Sequence, residues 1–254
     1  MTAGSDHPVT SGGTVVLPPL TGRLDALWDL ILDLAERVPA QRWELIGGQM
    51  VLLHGLRGGR GGVRVSQDVD VLADLLTASD GLRRCVRAVR SLHLDPVPDS
   101  RGRVYRFRRA SDEMAADVLA PDHSPPRWPL HTVGGAETIQ VPGGHQALQR
   151  LMVVTVVKGG RSVEVPVPDL LGALVLKAAA WVADSRDRDR HSGDAAFLAS
   201  LMADPRAERA RLAGSDRKRL RRLDQQLGDP KASEWLALGD HAADGYAAWR
   251  LLVS

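Results

Sequence analysis

The sequence predicts an α+β chain in which strands and helices alternate up to about residue 166 and only helices follow. Three observations carry this. Short apolar or β-branched runs of strand length recur in the first part, at Trp43–Ile46, Asp68–Leu72, Met114–Leu119, Leu151–Val157 and Arg161–Val165. Apolar residues at helical spacing fill segments between them. Beyond Pro166-Val167-Pro168 the periodic segments all read as helices. The expected division is a loose arm over residues 1–18, an α/β domain over 19–166 and a helical domain over 167–254.

Composition narrows the class. The 254 residues are 44% hydrophobic, ample for a core, and 33 basic residues against 31 acidic ones leave a net charge of +2. Such a balance predicts no nucleic-acid binding by itself, and charge has to be read locally. The single cysteine, Cys85, excludes an intramolecular disulfide and reads as a small core residue of a helix. No run approaches the roughly 20 apolar residues that span a bilayer. The N-terminus lacks a basic start and an apolar segment, so no signal peptide and no membrane partner are expected, and a reducing cytoplasm is the expected location.

In chain order, the Gly-, Ser-, Thr- and Pro-rich start reads as the loose arm. Leu24, Leu27, Trp28, Ile31, Leu34 and Ala35 define a helix that ends before Pro39. Trp43–Ile46 is the first strand. Gly47-Gly48 turns it into a helix through Leu53, with Gly55 as its C-cap. Glycines at such a turn let backbone N–H groups approach a phosphate, and the helix N-terminus adds positive potential. The loop Leu56–Val65 holds Arg57 to Gly62 (RGGRGG), either a basic flap or a flexible connection.

Asp68 and Asp70 lie in the next strand. Side chains at i and i+2 share a face. Two adjacent, partly buried carboxylates repel each other. A hard divalent cation removes that conflict, and Mg²⁺ is commonly held by one or two carboxylates plus substrate phosphates. Arg64 and Ser66 sit beside them in sequence, and Ser66 can bond a phosphate or cap a turn. A helix from Gly81 to Leu92 follows, with an outward arginine face. Arg103–Arg109 is a strand turned back at Ser111–Glu113 into Met114–Leu119. Asp117 sits inside this apolar return strand and needs a partner there, for which arginines 103, 106, 108 and 109 are available.

Residues 120–135 read as a Pro-rich loop whose histidines have no metal-ligand pattern. Lys158-Gly159-Gly160 turns a hairpin. Asp169 opens an apolar helix, Leu170 to Val182, that carries Lys177, either snorkelling to solvent or reaching triphosphate oxygens. A charged stretch leads into a helix from Asp194 to Leu201, where Asp194 reads as an N-terminal charge favoured by the macrodipole or as a partner for Lys177 or a nucleotide hydroxyl. An Arg-rich helix from Pro205 to about Leu227, interrupted near Gly214, is an outer bundle face or an RNA-binding one. A last helix spans His241 to Leu252.

Gly47-Gly48, His54-Gly55 and Ser66-x-Asp68-x-Asp70, in that order, resemble the signature of the nucleotidyltransferase (polymerase-beta-like) superfamily, and within it most closely the AbiEii-type toxins of bacterial toxin–antitoxin and phage-defence systems. The resemblance implies a mixed β-sheet with flanking helices, a C-terminal helical bundle, a two-metal Mg²⁺ site, an NTP substrate, an RNA acceptor such as the tRNA 3′ end, and a cognate antitoxin protein. It implies that Asp117 is the third acid, from a strand beside the D-x-D strand, and that Lys177, after Val165-Pro166-Val167-Pro168, is the helix lysine. Arg190 and Asp194 fit a basic-acidic-x-x-Asp pattern whose acidic position is His191 here. On this reading Asp68, Asp70 and Asp117 hold metal, and Gly47, Gly48, Arg64, Ser66, Lys177 and Asp194 contact nucleotide. Alternative expectations are transfer to a small molecule such as an antibiotic or to a protein hydroxyl, and a non-catalytic interaction protein that retains the fold.

Overall fold

The structure is a computed structural model and describes residues 9–61, 66–125 and 128–254. The chain forms two compact units, residues 1–169 and 170–254.

In the first unit the described elements are β1 (Thr10–Val16), α1 (Gly22–Arg37), β2 (Trp43–Ile46), α2 (Gly47–Arg57), β3 (Val69–Ala73), α3 (Gly81–Ser91), β4 (Asp95–Val97), β5 (Arg106–Arg108), β6 (Ala115–Pro121), β7 (Gln140–Val141), α4 (Gly144–Leu148), β8 (Leu151–Lys158) and β9 (Arg161–Pro168). One sheet runs β2-β3-β6-β5-β4, with β7 added to the far end of β6. β3 and β6 are parallel; the pairs β2–β3, β6–β5 and β5–β4 are antiparallel, so the sheet is mixed. The parallel pair needs a crossover, which α3 supplies. Val69, Val71, Leu72, Ala116, Val118 and Phe107 are buried in this sheet. A second, three-stranded sheet runs β1-β8-β9.

The N-terminal stretch departs from the expected loose arm. Thr10–Val16 pairs in parallel with β8, across a register shift between Ser11 and Thr14, and Thr10 Oγ1 donates to Leu151 O at 3.2 Å. Gly13, at φ 73°, supplies the backbone bend that the shift requires. Gly55 is not a cap either. α2 runs on to Arg57 and stops at Gly58, whose N–H bonds His54 O. Arg57 Nε donates to Gly12 O at 2.8 Å, so the first arginine of the glycine-rich loop ties α2 to β1.

The hairpin cations find partners on α1. Lys158 pairs with Asp25 and Asp29, and Arg161 with Asp33 and Glu36, at 2.5–3.0 Å. These four acids form one exposed stripe, and such pairs contribute little individually.

Glu44 is the anomaly of the core. It sits in β2 with no exposed surface, and among the described residues neither carboxyl oxygen has a hydrogen-bond partner. Burial, followed by the charges of Asp74 and Asp169, holds its pKa well above the usual carboxylate range. A carboxyl whose pKa is higher folded than unfolded gives its full contribution below the unfolded value, about 4.3, and loses it as pH rises toward the folded value. Glu44→Gln is therefore expected to raise stability at pH 7–8 relative to the wild type, with the gain vanishing near pH 4. Melting curves of both proteins across this range check it. Equal melting temperatures at pH 8 would refute the account.

The second unit comprises α5 (Leu170–Ala183), α6 (Arg188–Ser200), α7 (Pro205–Ala210), α8 (Asp216–Leu227), α9 (Ser233–Leu236) and α10 (Ala242–Val253). The α5 helix is apolar nearly all round and is buried accordingly. Trp235 and Trp249 are fully buried, with ring centroids 6.5 Å apart, and their indole N–H groups donate to Leu227 O and Asp224 Oδ1. Asp204 caps α7 through Ala207 N–H. The fold class is α+β, a mixed sheet with helices plus a helical C-terminal region. Among the described residues, no helix is long and apolar enough to cross a membrane.

Candidate metal and nucleotide site

The site is built on the row of residues that face each other across the mixed sheet. Ile46 pairs with Asp70, Asp70 with Asp117, and Asp117 with Arg106. Directly opposed residues project to the same face. The sheet register therefore sets two carboxylates and a guanidinium side by side on neighbouring strands. Asp68 lies just before β3 and turns its carboxylate into the same group. One carboxylate oxygen from each of Asp68, Asp70 and Asp117 lies within 4.8 Å of the other two.

The glycine turn closes on the acids from the β2 side. Gly47, at φ 72°, starts α2 directly after Ile46. A Cβ there would stand 1.8 Å from Asp70 Oδ2, and one at Gly48 would stand 2.6 Å from Ser66 Cβ. Both positions therefore require glycine: the first because backbone and carboxylate touch, the second because Ser66 packs on the helix start. Ser66 is buried, and its hydroxyl donates to Asp68 Oδ1 at 3.1 Å. The serine thus orients an acid of the cluster. Arg23, on α1, donates to Gln67 O and Glu113 O at 2.8–3.2 Å and pins the segment before Asp68 to the turn before β6. Nothing in the local sequence marked Arg23 for this.

Arg106 is the partner that Asp117 needed. Its Nε donates to Asp117 Oδ1 at 2.7 Å, and its Nη2 donates to Asp117 Oδ2 and Asp68 Oδ2, each at 2.8 Å. Arg103 instead bonds Asp99, and Arg109 bonds Asp112. Burial pushes the Asp117 pKa up, and Asp68 adds to this against the opposing pull of Arg106; the net shift is upward.

These residues can hold a divalent cation. The donors are all carboxylate oxygens, the set that suits Mg²⁺, Mn²⁺ or Ca²⁺. Two oxygens on one Mg²⁺ are at most about 4.2 Å apart, so atoms already within 4.8 Å need small adjustments.

Gly47, Gly48, Ser66, Asp68, Asp70 and Asp117 are thus one constellation in the first unit. Arg64 lies outside the described residues. Lys177 and Asp194 meet in the second unit, where Lys177 Nζ donates to Asp194 Oδ2 at 2.6 Å with both side chains buried. Asp194 is not an N-terminal charge, because α6 begins at Arg188 and places it mid-helix. His191, between them in sequence, has its pKa lowered to about 4, first by burial and then by Lys177. His54 is buried and bonds Pro168 O through Nε2 at 3.0 Å, fastening α2 to the end of β9. Burial lowers its pKa to about 4, so it is neutral at pH 7 and donates that hydrogen bond.

No family model and no curated protein matches the sequence. Among solved structures, the crystal structure of an antigenic nucleotidyltransferase-like protein from Paracoccidioides brasiliensis is similar, with a TM-score of 0.51 and 16% identity. The match covers 85% of this chain and 94% of that one. The fold is nucleotidyltransferase-like. At this identity the likeness is one of architecture, and the chemistry has to be argued from the acids and the glycine turn.

Proposed function

We propose that this chain is a Mg²⁺-dependent nucleotidyltransferase that moves an NMP from an NTP to a hydroxyl acceptor. The observation that carries the reading is the Asp68–Asp70–Asp117 cluster with the Gly47-Gly48 turn pressed against Asp70. Bound Mg²⁺ would supply Lewis-acid stabilisation of the attacking and leaving oxygens of an in-line displacement. Asp68 and Asp70 would hold it, with Ser66 fixing the orientation of Asp68. Asp117, on the strand beside Asp70, would bind the cation or accept the proton of the attacking hydroxyl. Backbone N–H groups of Gly47 and Gly48, at the start of α2, would cradle phosphate oxygens. The sequence resemblance adds Lys177 as a nucleotide-contacting cation, with Asp194 orienting it; their ion pair supports the second part of that assignment.

The resemblance to AbiEii-type toxins favours RNA, in particular a tRNA 3′ end, as acceptor, with a cognate antitoxin restraining the enzyme. The test is incubation of the purified chain with Mg²⁺, each α-labelled NTP in turn and total tRNA, a protein extract or an antibiotic panel, beside the Asp68→Ala/Asp70→Ala protein, with NTP binding followed by calorimetry. Label entering tRNA with the intact protein alone is the expected result. Label entering a small molecule or protein instead would overturn the acceptor assignment. Failure of any NTP to bind with Mg²⁺ would overturn the enzyme reading in favour of an interaction protein.

A further inference from the structure

Arg106 occupies the carboxylates that a metal ion would need. It takes both oxygens of Asp117 and one of Asp68 at 2.7–2.8 Å. A cation shared by these two acids therefore competes with the guanidinium, because both positive charges would lie against the same oxygens.

The sheet limits where the displaced guanidinium can go. Arg106 is the direct cross-strand partner of Asp117, as Asp70 is on the other side. Its side chain stays on the face that carries the acids, whichever rotamer it adopts. That side chain is 40% exposed, so it has an open side toward which to turn. The substrate proposed for this face is a triphosphate. A guanidinium matches phosphate oxygens with the same two-pronged geometry that it uses on a carboxylate. Charge favours the exchange: a divalent ion compensates the acids and releases one positive charge beside an incoming polyanion.

We propose that Arg106 is a nucleotide-binding residue that waits on the metal acids, is released from them by the divalent ion, and then pairs with a phosphate of the NTP. This rests on the reading of Asp68, Asp70 and Asp117 as metal ligands. It assigns one side chain opposite effects on two ligands. In metal-free protein Arg106 competes with the cation; in metal-loaded protein it attracts the nucleotide.

The experiment measures Mn²⁺ affinity without nucleotide, by paramagnetic resonance, and NTP affinity at saturating Mn²⁺, by calorimetry. Wild type, Arg106→Ala and Arg106→Lys are compared, with Asp70→Asn as reference. Arg106→Ala is expected to bind Mn²⁺ about tenfold more tightly and NTP about tenfold more weakly, the worth of one charged hydrogen-bonded contact in each case. Arg106→Lys keeps the charge and loses the bridge, and should lie between wild type and Arg106→Ala on both scales. Unchanged or weaker Mn²⁺ binding by Arg106→Ala, with the fold intact, overturns the proposal. So does unchanged NTP binding. If Arg106→Ala does not fold, Arg106→Lys decides, because wild-type values on both scales overturn the proposal equally. Mn²⁺ affinity that Asp70→Asn leaves untouched would instead remove the metal site on which the proposal stands.

Discussion

Asp70→Asn is expected to lower the rate of nucleotidyl transfer by about 10²-fold or more while the protein stays folded. The substitution keeps the shape of the side chain and removes one negative charge from the middle of the row Ile46–Asp70–Asp117. An amide oxygen is a much poorer ligand for a hard cation than a carboxylate. Phosphoryl chemistry depends almost wholly on positioning and charge, so little remains to compensate. Arg106 keeps its bonds to Asp68 and Asp117 in this variant, and the backbone pairing of β3 is untouched, so the melting temperature should move by only a few degrees. The rate is read from labelled transfer and the fold from circular dichroism. A folded variant that transfers within a few-fold of wild type would remove Asp70 from the mechanism.

Lys177→Met is expected to cost about 3–5 kcal/mol of stability. The Lys177 and Asp194 side chains are only 6% and 8% exposed, and their ionic atoms are 2.6 Å apart. Removing the lysine leaves a carboxylate buried without its counter-charge. Adding Asp194→Leu should recover much of the loss, because a buried ion pair is often matched by apolar residues of similar volume. Urea melts of the single and double variants measure both effects. The double variant also separates scaffold from catalysis. If it is stable and transfers at the wild-type rate, Lys177 is structural; if it is stable and binds NTP poorly, the lysine acts on substrate. Lys177 also lowers the pKa of His191, so that imidazole should titrate at a higher pH in Lys177→Met, an effect visible by NMR.

What local sequence can show is well seen at Trp43–Ile46. Its bounds were readable because an apolar run meets Gly47, the one residue type that tolerates φ 72° against a carboxylate. The strand expected from Asp68 to Leu72 begins at Val69, so Asp68 reaches Asp70 from the bend before β3, not by the two-residue period of a strand. The partner of Asp117 was not readable. Four arginines within seven residues looked equivalent, and only the register of β5 on β6 sets position 106 opposite 117. Glu44 went unnoticed as a buried charge because it alternates with apolar neighbours as a half-exposed strand would, whereas its strand is buried on both faces. Asp194 lies mid-helix because α6 starts at Arg188, within the charged stretch that precedes the apolar positions. The strand at Thr10–Val16 was hidden for a different reason. Ser11, Gly12 and Gly13 interrupt its β-branched residues, and its order comes from a partner 141 residues away.

That distance matters during synthesis. Thr10–Val16 leaves the ribosome well before Leu151–Lys158 exists to receive it. At about 5–20 residues per second the wait is roughly 7–30 s. Through that interval the segment has no ladder to join, and non-local pairings of this kind are slow to form even once both partners are present. The β8–β9 hairpin, closed by a two-glycine turn, can assemble locally and offer a finished edge. Thr10–Val16 is thus translated before the other two strands of its sheet and placed after them.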